Sequence, residues 1–217
     1  MREALILFPC NGNAFEALDC LGDTYEFVGF VDDDPRKQQA GCPPYRVHGR
    51  DYFRQHPHAR VLAVPGSPAS FGARRALIQG LGIDGRRLAT VIHPGARVSP
   101  RARVGCNVLV MAGTVVSGGA VIGDHVCVLP NSVVHHHAVV GAWSLVGANV
   151  TIAGHAVIGE NCYLGSGTSV IDQVRIGDRS LVGLGSNVLR DLPPDSRAAG
   201  NPARRIPRGP STPVSRG

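Results

Sequence analysis

Every sixth residue from Ile92 to Val188 is valine, isoleucine or leucine, which gives seventeen aliphatic positions in a row without an insertion. The residue four places after each of the first sixteen is small or β-branched, and glycine often follows the aliphatic residue. This period of six differs from the period of two in an ordinary strand. A fixed period indicates a solenoid, because one unit cannot bury its aliphatic side chain alone whereas stacked units can.

Three six-residue segments make one triangular coil, and each flat face of the coil points its aliphatic side chain inward. Successive coils then pair as parallel strands and bury one aliphatic column per face. The composition agrees, since 28 glycines and only 5% aromatic residues suit tight, repetitive corners. The sequence therefore predicts a parallel β-helix over residues 91–193.

Residues 1–90 alternate strands with helices instead. Strands are predicted at Ala4–Phe8, Phe27–Val31 and Val61–Val64, and helices at about Ala14–Leu21 and up to about Leu81. Such alternation is typical of a small parallel α/β unit, so the fold class predicted here is an N-terminal Rossmann-like domain followed by the β-helix.

The strand ends in residues 1–90 carry features of a nucleotide site. A helix N-terminus can hold phosphate, and a carboxylate can accept hydrogen bonds from ribose hydroxyls. The first turn is not G-x-G-x-x-G, however, and acids after a strand are often only solvated. The residues alone leave both interpretations open. The candidate substrate-binding residues here are Asn11, Gly12, Asn13, Asp32, Asp33 and Gly66.

The charge distribution and the absence of targeting signals limit the classes of partner that are expected. The net charge of +6 and the pI near 9.3 are not concentrated in one stripe, so no nucleic-acid partner is expected. No apolar run reaches membrane-spanning length and the start does not resemble a signal peptide, so we expect no membrane partner and a cytoplasmic protein. The six cysteines lack C-x-x-C spacing and are interpreted as buried, reduced thiols.

The repeat resembles the hexapeptide-repeat acyltransferase superfamily, whose left-handed β-helices form trimers with active sites in grooves between neighbours. With the α/β domain added, residues 3 to about 206 resemble the bacterial sugar acetyltransferases with an N-terminal nucleotide-binding domain. That branch includes nucleotide amino-sugar N-acetyltransferases and sialic acid O-acetyltransferases. The landmarks are Phe30-Val31-Asp32-Asp33, Ala63-Val64-Pro65-Gly66, Ile92-His93-Pro94, His135–Gly141 and Gly200-Asn201-Pro202-Ala203-Arg204.

The resemblance implies acetyl-CoA as acyl donor and a histidine as general base, which must take a proton from the attacking group. The repeat register places His135, His136 and His137 at one corner, pointing mostly outward. The branch pattern Val-acid-His-acid-x-Val-Ile-Gly aligns its base with His136, so His136 and its neighbour His137 are the implied catalytic residues. Both acids are replaced by histidine. Either another carboxylate serves, or His136 acts unaided, or activity is reduced.

The period locates further implied roles. Gly154 follows His136 by eighteen residues, one coil, where the branch has a glycine whose N–H binds the thioester carbonyl. The branch has an asparagine seven residues before its base, but this position is Leu129 here. Asn131, two residues later, is the candidate substrate-binding residue that could substitute for it. The pantetheine arm is expected to run from Gly154 along the next coils. The implied cofactor-binding residues are Ala153, Gly154, Ser166, Gly167, Gly183, Leu184, Gly185, Pro202, Ala203 and Arg204.

A zinc site is the competing interpretation of the histidines. No His-x4-His pair exists in the sequence, and neighbouring side chains on an extended chain diverge, so we predict no metal. His137 and His155 nevertheless lie one coil apart. Residues 194–217 are predicted to contact the cofactor first and then to form a disordered tail.

The sequence thus predicts direct acetyl transfer from acetyl-CoA to the amine of a nucleotide-linked amino sugar, without an acyl-enzyme. Two alternatives remain open, namely O-acetylation of a sugar and a scaffold or binding protein with altered catalysis. The altered turn Pro9-Cys10-Asn11-Gly12-Asn13-Ala14, where the branch resembles Gly-x-x-Gly-His-Gly, leaves nucleotide binding open as well. A homotrimer is expected because Leu109, Met111, Val115 and Val133 should point outward as apolar surface.

Overall fold

A computed structural model describes residues 2–207. Its N-terminal unit is a parallel sheet with helices between the strands. The strands are β1 (Glu3–Phe8), β2 (Tyr25–Val31), β3 (Val47–His48) and β4 (Arg60–Ala63). The helices are α1 (Gly12–Leu18), α2 (Pro35–Ala40), α3 (Asp51–Gln55) and α4 (Arg74–Gln79), with single 3₁₀ turns at Phe71–Ala73 and Gly85–Arg87.

The sheet order is β3-β2-β1-β4 with every pair parallel. The three predicted strands are found with ends within two residues of those expected. The first helix begins two residues earlier than predicted, because the Asn11 side chain accepts a hydrogen bond from Ala14 N and caps it. Sequence reasoning missed β3, α2 and α3, which are too short to carry a clear hydrophobic period.

The predicted β-helix is confirmed, and its strands, of two residues except for the three-residue Arg197–Ala199, lie on three faces. Face 1 carries Val91–Ile92, Leu109–Val110, Cys127–Val128, Leu145–Val146, Tyr163–Leu164, Leu181–Val182, Arg197–Ala199 and Arg204–Arg205. Face 2 carries Arg97–Val98, Val115–Val116, Val133–Val134, Thr151–Ile152, Ser169–Val170 and Asn187–Val188. Face 3 carries Arg103–Val104, Val121–Ile122, Val139–Val140, Val157–Ile158 and Arg175–Ile176.

Coils pair in a constant register of eighteen residues, as when Cys127 pairs with Leu109 on one side and Leu145 on the other. The repeated aliphatic residues form one continuous core inside the triangle. The small residues at the corners join neighbouring coils. The Ser132 hydroxyl, for example, donates to Gly147 O at 2.8 Å and accepts from Val150 N at 3.0 Å, which explains a polar residue in a buried position.

The stack continues beyond the last repeated valine. Arg197–Ala199 pairs parallel with Leu181–Val182 at a spacing of sixteen residues, and Arg204–Arg205 returns antiparallel to it. This shortened coil lies past residue 193, where the repeat predicted the β-helix to end. The loss of two residues takes the coil out of the six-residue period, so the pattern could not reveal it. Most of the predicted disordered tail, residues 208–217, lies outside the described residues.

The N-terminal unit packs on face 1. Leu109, Met111 and Leu145 are buried in one apolar cluster with residues of β1 and β4. The expectation that Leu109 and Met111 form exposed surface for a trimer is therefore wrong, because their own chain covers them. Val115 and Val133 do point outward from face 2 and are half-buried.

A buried arginine holds the two parts together. Arg74 is 1% exposed, and its guanidinium donates to the carbonyl oxygens of Pro65, Trp143 and His125. The Asn107 side chain adds a two-way bridge, since its amide accepts from Ala63 N and donates to Ala63 O, both at 2.8 Å. The Asn107 side chain thereby satisfies both backbone groups of Ala63, the last residue of β4. These polar contacts fix the angle at which the sheet meets the β-helix.

All six cysteines are free thiols, four of them buried and two half-buried, which agrees with the expected reduced state.

Among residues 2–207, no helix combines the length and the apolarity that crossing a bilayer requires.

His125 makes the junction sensitive to pH. Its ring is buried, stacks on Trp143 at 3.8 Å and lies 3.1 Å from the Asn107 amide, and burial lowers its pKa from 6.5 to about 4. The unfolded chain therefore takes up a proton at a pH where the folded chain does not. The stability that the neutral ring contributes is complete above about pH 6.5 and is lost as the pH falls toward 4.

We predict that His125→Asn reduces the dependence of the unfolding free energy on pH between about pH 4 and about pH 6.5. Asparagine tolerates the left-handed backbone at this position, where φ is 62°, and it does not titrate. Urea unfolding of wild type and variant at about pH 7 and about pH 4.5 measures the difference. The wild type should lose more unfolding free energy than the variant on acidification, and equal losses would contradict the assignment.

Candidate functional site

Three rows of corners run along the β-helix. Corner 1–2 joins face 1 to face 2, corner 2–3 joins face 2 to face 3, and corner 3–1 closes the coil. The residues of one row recur every eighteen positions, so each corner position forms a column. The predicted site residues of the β-helix fall on corners 1–2 and 2–3, which are the two edges of face 2.

Corner 2–3 carries the histidines. His136 and His137 are exposed, and their Nδ1 atoms lie 3.3 Å apart, within hydrogen-bonding distance. His155 occupies the same column as His137 one coil later, and the two rings stack in parallel at 4.9 Å. Among residues 2–207, no carboxylate makes a hydrogen bond or ion pair with His136. The side chain within hydrogen-bonding distance of His136 is that of His137, which stands where the resemblance predicts an acid.

Gly154 lies directly against the His136 ring. A Cβ on Gly154 would lie 2.6 Å from Cε1 and 2.8 Å from Nε2 of His136, so only glycine leaves room for this ring position. Within the described chain, the Gly154 N–H donates to no protein acceptor, whereas the neighbouring His155 N–H bonds to His136 O. The pairing of His136 with Gly154 that the period predicted is thus found, together with a free N–H beside the ring.

A groove of about 360 Å³ opens on the other side of the histidines. It is lined by Arg101, Gly118, Gly119, His136 and His137. Sequence reasoning did not assign Arg101, Gly118 or Gly119 to the site. The eighteen-residue period does connect Gly118 to His136 and Gly119 to His137, so the signal was present.

The predicted cofactor residues divide between two corners. Ala153 and Gly154 lie at corner 2–3, beside His136. The others lie at corner 1–2 or at its end, a full face away. They are Ser166, Gly167, Gly183, Leu184, Gly185, Pro202, Ala203 and Arg204. Ser166 follows Gly154 by twelve residues, which is two faces of the coil, so one chain does not bring the two groups of predicted cofactor residues to a single corner.

Corner 1–2 also borders a crevice of about 220 Å³ between the N-terminal unit and face 1. This crevice brings together Asn13 and Gly66, two predicted substrate residues, with Leu129 and Tyr163 of the β-helix. Tyr163 was not predicted, since it occupies an ordinary outward position of the repeat. Burial raises its pKa, and its ring lies 5.9 Å from Phe71. Asn131 is exposed at the same corner.

Asn11 and Asn13 both direct their side-chain amides at Val64 O, at 3.2 and 3.4 Å, so they tie the first turn to the end of β4. Gly12 between them is exposed, and a Cβ there would meet nothing within 4 Å. The space above this turn is open at the C-terminal edge of the sheet. Gly66 differs, since a Cβ would press on Leu145 at 2.9 Å, and its glycine is required by packing.

The two predicted acids are already engaged. Asp32 is 5% exposed and accepts hydrogen bonds from Cys10 N, Asp34 N and Lys37 Nζ. Asp33 forms a two-bond pair with Arg50, with both distances 2.7 Å. Asp32 thus fixes the two turns at the sheet edge, and its carboxylate has little capacity left for a ligand.

A family model, the GMPPB C-terminal domain, matches residues 87–184. PerB from Caulobacter crescentus, solved with CoA and GDP-perosamine, is 30% identical, with a TM-score of 0.80 and coverage of 95% of this chain and 98% of that chain. The acetyltransferase domain of PglB from Neisseria gonorrhoeae FA1090, solved with acetyl coenzyme A, is 27% identical with a TM-score of 0.82 and coverage of 95% and 100%.

A histidine-to-alanine mutant of the GDP-perosamine N-acetyl transferase from Caulobacter crescentus, in complex with CoA and GDP-perosamine, has 30% identity, a TM-score of 0.79 and coverage of 95% and 97%. No curated protein sequence gives a significant match. The likeness therefore extends over nearly the whole chain, including the N-terminal unit.

We predict that Gly154→Ala turns the His136 ring away, because the added Cβ would overlap it. Gly118→Ala is the matched control one coil earlier, where the nearest atom is the mobile Arg101 side chain at 3.2 Å. Imidazole NMR resonances of His136 report the change. They should shift in the first variant only, and an unshifted His136 in Gly154→Ala would contradict the contact.

Proposed function

Because this chain belongs to the family of hexapeptide-repeat sugar acetyltransferases, we propose that it transfers acetyl from acetyl-CoA to the amine of a nucleotide-linked amino sugar. The observation that carries the proposal is the contact of the His136 ring with Gly154, beside a free backbone N–H. An acid–base group and an oxyanion donor then stand on adjacent coils. Acetyl transfer requires that combination.

His136 is the proposed general base. As the amine attacks the thioester carbonyl, its proton passes to the free nitrogen of His136, the C–S bond breaks and CoA leaves as thiol or thiolate. The short contact with His137 supports an oriented ring, since a neutral imidazole can donate to its neighbour. His137 supplies no negative charge, so it positions the base without the electrostatic stabilisation that a carboxylate gives.

Gly154 is the proposed oxyanion donor. Its N–H is unpaired in the described chain and borders the ring that would take the proton. A donor fixed in a β-helix needs no rearrangement when charge develops on the carbonyl oxygen. Direct attack then needs no covalent acyl-enzyme.

Corner 1–2 is the proposed binding site for acetyl-CoA, the acyl donor. Gly167 and Gly185 occupy its column in successive coils, and a Cβ at Gly185 would meet nothing within 4 Å. The missing side chains at Gly167 and Gly185 leave room for an extended pantetheine arm along this column. Arg204 and Arg205 are exposed beyond its last coil, where guanidinium groups can bind the phosphates of CoA.

The N-terminal unit is the proposed nucleotide holder, a Rossmann-like domain. In the order β3-β2-β1-β4, the order in which successive strands are added reverses between β1 and β4, and ligands bind at such a switch point in parallel sheets. The open space over Gly12 and the crevice at Asn13 and Gly66 both lie at that edge. The backbone of this turn, and not the occupied Asp32 carboxylate, is the better candidate for contact with the nucleotide.

We further propose that two copies of the chain form each site. The base lies at corner 2–3, whereas the crevice and the glycine track lie at corner 1–2, and face 2 separates them in one chain. Contact between unlike corners of neighbouring copies is a heterologous interface, which closes into a trimeric ring when each copy is rotated by a third of a turn. A homotrimer with face 2 toward its centre joins each base to a neighbour's crevice, and Val115 and Val133 would be covered there.

Turnover of acetyl-CoA with a panel of nucleotide-linked amino sugars, their hydroxyl analogues and free amino sugars tests the function. Acetylation of an amine, with strong preference for the nucleotide-linked form, is the expected result. If only hydroxyl groups were acetylated, the protein would be an O-acetyltransferase and the proposed N-acetylation would be wrong. Absence of any turnover by a folded oligomer would favour a scaffold.

We predict that His136→Ala lowers the transfer rate by roughly 10²–10⁴, the usual contribution of a positioned base. The KM for acetyl-CoA should change little, because the proposed track lies at the other corner. His135→Ala is the control, since this exposed neighbour lies outside the contacts with Gly154. Steady-state kinetics of both variants measure the effect, and full activity of His136→Ala would show that His136 is not the general base.

A further inference from the structure

Corner 2–3 gathers three imidazoles around one point. His137 and His155 take the same corner position in adjacent coils, each with a left-handed φ of 58°. Their side chains therefore leave the backbone in the same direction. The His136 ring stands across both, tilted 75° to His137 and 78° to His155.

This arrangement corrects the expectation that adjacent histidines diverge. Divergence applies to an extended chain, and the left-handed residue at the corner turns the backbone between His136 and His137. One ring nitrogen from each of the three histidines lies within 4.8 Å of the other two. All three side chains are exposed, so their rings can rotate without disturbing the core.

The distances suit a transition-metal ion. Zinc–nitrogen bonds of about 2.0–2.1 Å place two tetrahedral ligands about 3.3–3.4 Å apart. The Nδ1 atoms of His136 and His137 are already 3.3 Å apart. The ring nitrogen that His155 offers lies within 4.8 Å of the other two, and the exposed ring is free to rotate toward them.

We propose that His136, His137 and His155 bind one Zn²⁺ ion per chain, with the fourth coordination position open to water or an anion. Imidazole is a ligand that suits zinc, copper and nickel, and three neutral imidazoles leave the ion its full charge. Arg101 lines the adjoining groove, where its positive charge favours an anion at the open fourth position.

Bound zinc has a consequence that rests on the proposed function. Coordination through Nδ1 leaves the neutral His136 ring with its proton on Nε2, so the nitrogen that would accept the substrate's proton has no lone pair and the metal-bound enzyme lacks its base. Zinc therefore acts as a reversible inhibitor of acetyl transfer. A chelator should restore activity.

Binding is tested first, without reference to activity. Zn²⁺ is titrated into the metal-free full-length protein in competition with a chromophoric chelator, and Co²⁺ reports four-coordinate geometry by its visible absorption. We expect one ion per chain. His155→Asn should weaken binding by more than the roughly 10–100-fold that loss of an outer-shell partner costs. Asparagine occupies equivalent left-handed corners at Asn131 and Asn149, so the variant should fold.

His135→Asn is the matched control, a histidine of the same corner that lies outside the cluster, and it should bind zinc as the wild type does. Absence of stoichiometric binding, or equal binding by His155→Asn, would overturn the proposed site and leave the proposed function untouched. In the activity assay, His155→Asn should work normally and resist zinc. Zinc bound at the cluster without inhibition would instead count against His136 as the base.

Discussion

From Val91 to Val188 the coils pair in an eighteen-residue register, and this register determines where every corner side chain lies. Each strand of two residues pairs with the coils above and below, so a side chain at any corner is repeated in place one coil later. This register aligns Gly154 with His136 and His155 with His137. A slip of one residue would turn the aliphatic columns outward, so the buried core enforces the alignment of the exposed site.

Attachment of the N-terminal unit determines which face remains available. Arg74 and Asn107 satisfy buried carbonyl and amide groups across the junction, and apolar side chains such as Leu109 close it. With face 1 covered, the crevice for substrate opens at corner 1–2, while the histidines lie across face 2. The two halves of the proposed site thus lie on opposite edges of face 2 in one chain, which is why we propose that a second copy of the chain completes each site.

The period of the sequence predicted the β-helix and the pairing of His136 with Gly154, because both follow from counting residues. It could not predict which face the N-terminal unit covers, so Leu109 and Met111 were assigned to the surface. Nor could it show that the implied cofactor residues occupy two corners, or that the left-handed backbone at His137 brings adjacent imidazoles together. Asp32 was recognised at a strand end, but its three hydrogen-bond donors come from three separate positions in the chain. Contacts of this kind depend on tertiary packing, which spacing does not encode.

Mixed trimers test most directly whether two copies share each site. His136→Ala disables corner 2–3, and Gly185→Arg fills the proposed track at corner 1–2, where arginine is compatible with the left-handed backbone, as at Arg179. Each variant alone should be inactive. In trimers purified to contain both variants, one of the three interfaces joins two unaltered corners, so we expect about a third of wild-type turnover. Mixed trimers as inactive as either parent would contradict it, since sites contained within single chains cannot complement one another.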